Sequence, residues 1–229
     1  MTTSGTYNYN PSLGELVLYS YNLCGLRNTS LLQEHMESAR MAANLLLASW
    51  ANRGVNLWAV DLITTSLTQG ISSYSVDPTT VMILDAYIEI VNGTQNIDRI
   101  ILPISRTEYA SYPNKSQQGF PTVFWFDRLT APNVTLWPVP DGNEAYLKYY
   151  RVRQIQDSNF TSGQNVEIPY LWLDAFAYAL AARLAQTWSP QAAMELKALA
   201  DESYNIAAEQ NIEQANQYIS PQIMGYYRP

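Results

Sequence analysis

The sequence predicts an α+β fold: an antiparallel helical core of two N-terminal and two C-terminal helices, with an inserted antiparallel β-rich block and an extended C-terminal arm. Three observations predict it. Apolar residues recur at helical spacing near both ends of the chain. Between them lie short stretches with period-two alternation, separated by Gly, Pro and Asn. The chain then closes on a stretch with no period that still holds Tyr, Ile and Met. The expected divisions are a flexible N-terminus (1–11), a helical core (12–55 and 165–217), a β-rich insertion (56–164) and the arm (218–229).

The first helix opens at Ser12-Leu-Gly-Glu15, a capping box in which each side chain satisfies a backbone donor of the other residue. Leu13, Leu16, Val17, Ser20 and Leu23/Cys24 share one face, and Gly25 supplies the stop. Ser30-Leu-Leu-Gln33 repeats the box and predicts a longer helix with the stripe Leu32, His35/Met36, Ala39, Ala42/Ala43, Leu46 and Trp50, ended by Gly54 at C′. A link of about five residues predicts that the two helices form an αα-hairpin.

From Leu57 the period becomes two: Trp58, Val60, Leu62 and Thr64 alternate with Ala59, Asp61, Ile63 and Thr65. Gln69-Gly70 turns the chain and 71–76 returns it as a second strand, until Asp77-Pro78 breaks the ladder. Further strands are expected at 86–91, 99–104, 122–127, 133–137 and 145–151, and a helical turn at 107–112. Pro169 opens a helix that is apolar nearly all round, through Leu171/Trp172, Ala175/Phe176, Tyr178/Ala179, Ala182 and Ala185, as expected of one buried on several sides. Ser189-Pro190 starts the last helix, with proline at its first position, and Ala193, Leu196, Leu199/Ala200, Ser203 and Ile206/Ala207 carry it to about 216.

Charged residues are only 14% of the 229, with a net charge of −7 and no basic cluster, which argues against wrapping a phosphate backbone. Few charges and the 17 Tyr and 6 Trp suit a β-rich core or an extensive protein contact surface. No N-terminal signal is visible, and 171–188 is too short and too polar, with Asp174 and Arg183, for a membrane span. The single cysteine, Cys24, forms no intramolecular disulfide and fits a reducing compartment.

Catalytic signatures are scarce. His35 is the only histidine, which removes multi-histidine metal sites, and it lies on an apolar helix face. Phosphate loops and nucleophile elbows are missing. The remaining enzymatic option is a carboxylate pair acting on a glycan, drawn from Glu15, Glu34, Glu37, Asp61, Asp85, Glu89 and Glu108, but no spacing selects two of them.

The segment 30–78 carries more. Ala39, Ala43-Asn44-Leu45-Leu46, Trp50-Ala-Asn-Arg-Gly54, Leu57-Trp58, Gly70 and Tyr74-Ser-Val-Asp-Pro78 together resemble the head-to-tail adaptors (connector or tail accessory proteins) of tailed bacteriophages, nearest to those of short-tailed phages. The likeness extends over most of 12–229, and the β-block between 83 and 164 is longer here than in that family. It implies a structural virion protein of the neck, made in the host cytoplasm, with no enzymatic activity and no cofactor, catalytic residue or metal. It implies a homo-oligomeric ring, a dodecamer, that joins the portal protein to a downstream tail or nozzle protein. DNA would pass through its channel without specific binding, and no membrane is involved. The resemblance assigns portal binding to the arm residues Tyr218, Ile219, Ile223, Met224, Tyr226, Tyr227 and Arg228, and packing to Trp50, Gly54, Trp58, Tyr74 and Pro78. The alternative is a peptidoglycan-degrading or glycan-binding phage tail protein.

Overall fold

The computed structural model describes residues 3–54, 57–92, 95–160 and 164–212. Its helices are α1 (Leu13–Leu23), α2 (Gln33–Ala51), α3 (Arg106–Ser111), α4 (Leu173–Trp188) and α5 (Ala193–Glu209). Its strands are β1 (Val60–Ser66), β2 (Ser73–Ser75), β3 (Thr80–Asn92), β4 (Gln95–Pro103), β5 (Val123–Phe126), β6 (Asn133–Trp137) and β7 (Tyr146–Arg153). This is the α+β architecture that the sequence predicts.

α1 starts and stops as expected. Ser12 Oγ accepts from the Glu15 N–H at 3.3 Å, and Glu15 Oε2 accepts from the Ser12 N–H at 2.8 Å, closing the capping box. At its other end Gly25 takes φ 79°, a conformation costly for any residue with a Cβ. The Gly25 N–H then reaches the Asn22 carbonyl and the Leu26 N–H the Tyr21 carbonyl, a Schellman stop.

α2 opens differently from the expectation. Ser30 belongs to a separate 3-10 turn, and the helix begins at Gln33. The cap is inverted: His35 Nδ1 accepts from the Leu32 N–H at 3.1 Å. Buried His35 also stacks on Trp188 at 4.0 Å and accepts the Tyr21 hydroxyl proton at its carbonyl at 2.6 Å. Gly54 falls one residue beyond C′, because α2 ends at Ala51 with Asn52 as its cap.

α4 is the axis of the helical core; α1, α2 and α5 all pack on it. Ser20 Oγ donates to the Ala177 carbonyl and Cys24 Sγ to the Ala181 carbonyl, one turn apart on both helices, so α1 runs parallel to α4. Such contacts need small residues on both faces, and Ala177 and Ala181 supply them. α2 runs antiparallel to α4, with His35 beside Trp188 and Trp50 beside Trp172 and Phe176. The expected αα-hairpin is thereby amended: α1 and α2 meet through Tyr21 and His35, and their main partner is α4. The expected proline start of α5 is also displaced. Pro190 lies in the connecting turn, where its carbonyl accepts from the Ala193 N–H, and the helix begins at Ala193. α5 ends at Glu209; the expected continuation beyond residue 212 lies outside the described residues.

One seven-stranded sheet runs in the order β1-β7-β3-β4-β5-β6-β2. The first strand is closed by the last, so the insertion returns to its point of departure. The expected hairpin of β1 with 71–76 does not form; β2 pairs with β6, at the far end of the strand order from β1. The Tyr74 hydroxyl holds the 68–74 loop through the Thr68 N–H and carbonyl. The insertion is not wholly antiparallel either: β4 and β5 pair in parallel at Leu102 and Pro103, a connection that α3 bridges. Register shifts in β3 between Thr80 and Met82 and between Ile83 and Ala86 mark irregularities that bend the strand.

Two apolar cores result. The helices enclose Leu13, Val17, Tyr21, Leu46, Trp50, Phe176, Leu180 and Leu184. The curled sheet encloses a second, of Val76, Ile88, Ile101, Phe124, Leu136, Leu147 and Tyr149.

Candidate functional site

Of the residues that the sequence singles out, Trp50 and Trp58 are brought together. Both pack on Trp172, with centroids at 5.2 and 5.0 Å, and Tyr204 of α5 closes the cluster against Trp50 and Trp172. Arg53 lies over the Tyr204 ring at 4.4 Å, just before Gly54. Tyr74 sits apart, against the sheet core. Pro78 occupies the turn before β3, where the Thr80 N–H returns to the Asp77 carbonyl. The arm residues Tyr218, Ile219, Ile223, Met224, Tyr226, Tyr227 and Arg228 lie outside the described residues.

A polar seam joins the sheet to the segment leading into α4. Arg151 and Arg153 alternate on one face of β7. Buried Arg151 reaches the Thr80 hydroxyl at 3.0 Å and Asp61 at 3.4 Å, with Asp77 at 3.6 Å. Arg153 contacts Asp61 through Nε at 3.2 Å and makes a two-pronged pair with Glu167, whose Oε2 also accepts from the Gln156 N–H at 2.7 Å. Those bonds, led by the Arg153 hydrogen bond, hold the Glu167 carboxyl below its ordinary range. The alternation Arg151-x-Arg153 was visible in the sequence, but its acidic partners come from strand and loop positions that only the fold brings near.

The carboxylates considered for catalysis are dispersed. Glu15 caps α1, Asp61 is held by two arginines, and Glu108 lies in the first turn of α3. Buried Glu89 pairs with Lys148 at 2.7 Å and accepts from Asn96 Nδ2 at 2.6 Å. A cleft of about 400 Å³ between α2 and 154–157 contains one carboxylate, Asp157, among amide and aliphatic side chains. A two-carboxylate mechanism needs a second acid in the same cleft. Among the described residues no group of three or more His, Cys, Asp or Glu is placed to hold a metal ion, and no helix is long and apolar enough to cross a membrane.

The outer face of β1, β7, β3 and β4 is the more prominent surface. Leu62, Tyr150, Ile100 and Leu102 all stand exposed there, beside the Glu89–Lys148 pair. A second aromatic surface surrounds α3: Tyr109 stacks on Trp125 at 5.6 Å and Tyr112 on Trp137 at 4.1 Å, with Lys115 over Tyr109. Both present aromatic and aliphatic groups with few charges, a composition common at protein contact surfaces. A family model described as SU10 adaptor protein matches residues 29–224, spanning the sheet and most of the helical core. No curated protein matches the sequence.

Proposed function

The chain belongs to the SU10 adaptor protein family, and from that premise we propose that it forms a twelve-membered ring beneath the portal of a short-tailed phage, joining the portal to the tail and continuing the DNA channel. The family is one of structural phage proteins of the virion neck, which oligomerise and contact portal and tail proteins. The family match over 29–224 is the observation that carries the proposal. The dispersed carboxylates and the exposed apolar sheet face support it. Residues 218–229 are assigned to the portal: Tyr, Ile and Met side chains there can each contribute roughly 1.5–3 kcal/mol when fully buried. Repetition around a ring raises their joint effect through effective concentration. A net charge of −7 per copy favours a conduit that DNA slides past rather than adheres to.

Purified full-length protein mixed with its portal protein should give a ring-on-ring complex in electron micrographs, and deletion of 218–229 should abolish it. A deletion variant that binds portal unchanged overturns the arm assignment. Absence of any ring with the full-length chain overturns the adaptor assembly itself.

A further inference from the structure

We propose that the open edge of β4 in one copy pairs with the open edge of β1 in the next, so that the sheets of neighbouring subunits join into one belt; this rests on the ring assembly above and names the contact that closes it. β1 ends the sheet order and, among the described residues, pairs only with β7. Among the described residues β4 is covered on the side away from β3 by β5 at Leu102 and Pro103 alone, which leaves that side of 95–101 without a strand beside it. Open edges present rows of unpaired backbone groups and are templates for another strand.

Three features make these two edges fit each other. The first is direction. β1 and β7, β7 and β3, and β3 and β4 are all antiparallel pairs, so β1 and β4 of one subunit point oppositely. A copy placed beside β4 in the same orientation therefore offers its β1 as an antiparallel partner. Such a contact uses a different edge on each side, the heterologous kind that generates rings.

The second is hydrogen-bond parity. The Leu67 N–H donates to the Ala145 carbonyl at 3.0 Å, so odd-numbered residues of β1 face β7. Leu62, Thr64 and Ser66 then aim their backbone groups outward. In β4 the Leu102 N–H donates to the Thr122 carbonyl at 3.0 Å, away from β3. Asn96, Asp98 and Ile100 share that parity and aim outward too. The third is side-chain chemistry. With Ile100 opposite Leu62, Asp98 meets Thr64 and Asn96 meets Ser66, apolar on apolar and polar on polar, with all six side chains on the outer face. A slip of one residue breaks the bonding parity and turns the apolar side chains to opposite faces. β5 closes the slot at Leu102 and so sets where the incoming strand stops. Ile100 is 77% and Leu62 46% exposed in the single chain, and this pairing sets the two side by side.

The test is disulfide trapping in the full-length chain assembled on its portal. The variant carries Leu62→Cys and Ile100→Cys, with buried Cys24 left in place. Within one subunit these positions are three strand spacings apart, roughly 14 Å, well beyond disulfide reach. A bond can therefore form only between copies. Mild oxidation should give a ladder of covalent multimers on a non-reducing gel, while neither single variant gives one. Thr64→Cys with Asp98→Cys should repeat the ladder and guards against a folding defect in the first pair. Rings in micrographs with no ladder from either pair overturn the proposal and leave the adaptor assembly standing. Dimers from Ile100→Cys alone also overturn it, because β4 then pairs with β4. Loss of rings in the unmodified protein overturns the assembly and this contact with it.

Discussion

Replacing Trp50 with alanine tests whether the helical core is held where α2, α4 and α5 converge. The indole is 1% exposed and lies against Trp172, Phe176 and Tyr204, so truncation removes contacts with three aromatic rings at once. The ring is packed among side chains of α2, α4 and α5, and tryptophan-to-alanine changes at buried sites cost about 3–5 kcal/mol. For 229 residues the unfolding entropy near the midpoint is about 0.48 kcal/mol/K, so Tm should fall by roughly 6–10 °C. Trp58→Ala is the internal control. That ring is only half-buried, and among the described residues its one aromatic neighbour is Trp172 and its buried Nε1–H has no acceptor, so truncation also removes an unpaired donor. Its shift should be less than half that of Trp50→Ala. The assay is thermal unfolding followed by far-UV circular dichroism, with near-UV spectra to report the aromatic cluster. A Trp50→Ala shift below about 3 °C, or a larger shift for Trp58→Ala, would refute the assignment of Trp50 as the packing centre.

Two further predictions concern ionisable groups. The Glu167 carboxyl is held below its unfolded value by Arg153, so its contribution is full above that value and is lost as pH falls through the folded one. Glu167→Gln should lower stability at pH 7 and narrow the gap to wild type as pH drops below about 4.5, read by urea midpoints across pH; a gap independent of pH refutes the pairing. Burial pushes the Cys24 thiol up to about 11, so on the order of a thousandth is thiolate at pH 8. Iodoacetamide should leave native Cys24 unmodified by mass spectrometry and label it in urea; fast native labelling refutes its burial under α4.

Legibility of the fold followed the range of the interactions involved. The α1 box and its glycine stop span only a few residues, and both ends appear as the sequence predicts. Strand 133–137 was equally readable, because its alternation is local. The errors share one cause. Ser30-x-x-Gln33 had the pattern of a box, but His35 is drawn under Trp188 and takes over the cap, a tertiary contact 153 residues distant in sequence. The segment 71–76 looked like the return of a hairpin, yet Tyr74 ties back to Thr68 and the strand goes to β6 instead. Local pattern identifies a strand; its neighbour is decided by which residues close the core. The Arg151–Asp61–Arg153–Glu167 seam was hidden for the same reason.

The scarcity of charge takes on a definite meaning once the strands are placed. Part of the aromatic content fills the two cores, as Trp50, Tyr21, Phe124 and Phe176 do. Another part does not: Tyr150 of β7 stands exposed on the outer sheet face beside Leu62, and Ile100 and Leu102 continue that face across β4. Sheets solvated on one side normally alternate apolar-in with polar-out. Here the inward positions of β4 include Ile101 while its outward ones include Ile100 and Leu102, so the strand is apolar on both faces at its C-terminal end. That is the pattern of a strand covered on both sides. A face with this composition, bounded by an open edge whose hydrogen-bonding parity matches the other open edge of the same sheet, favours a second copy of the chain as its neighbour.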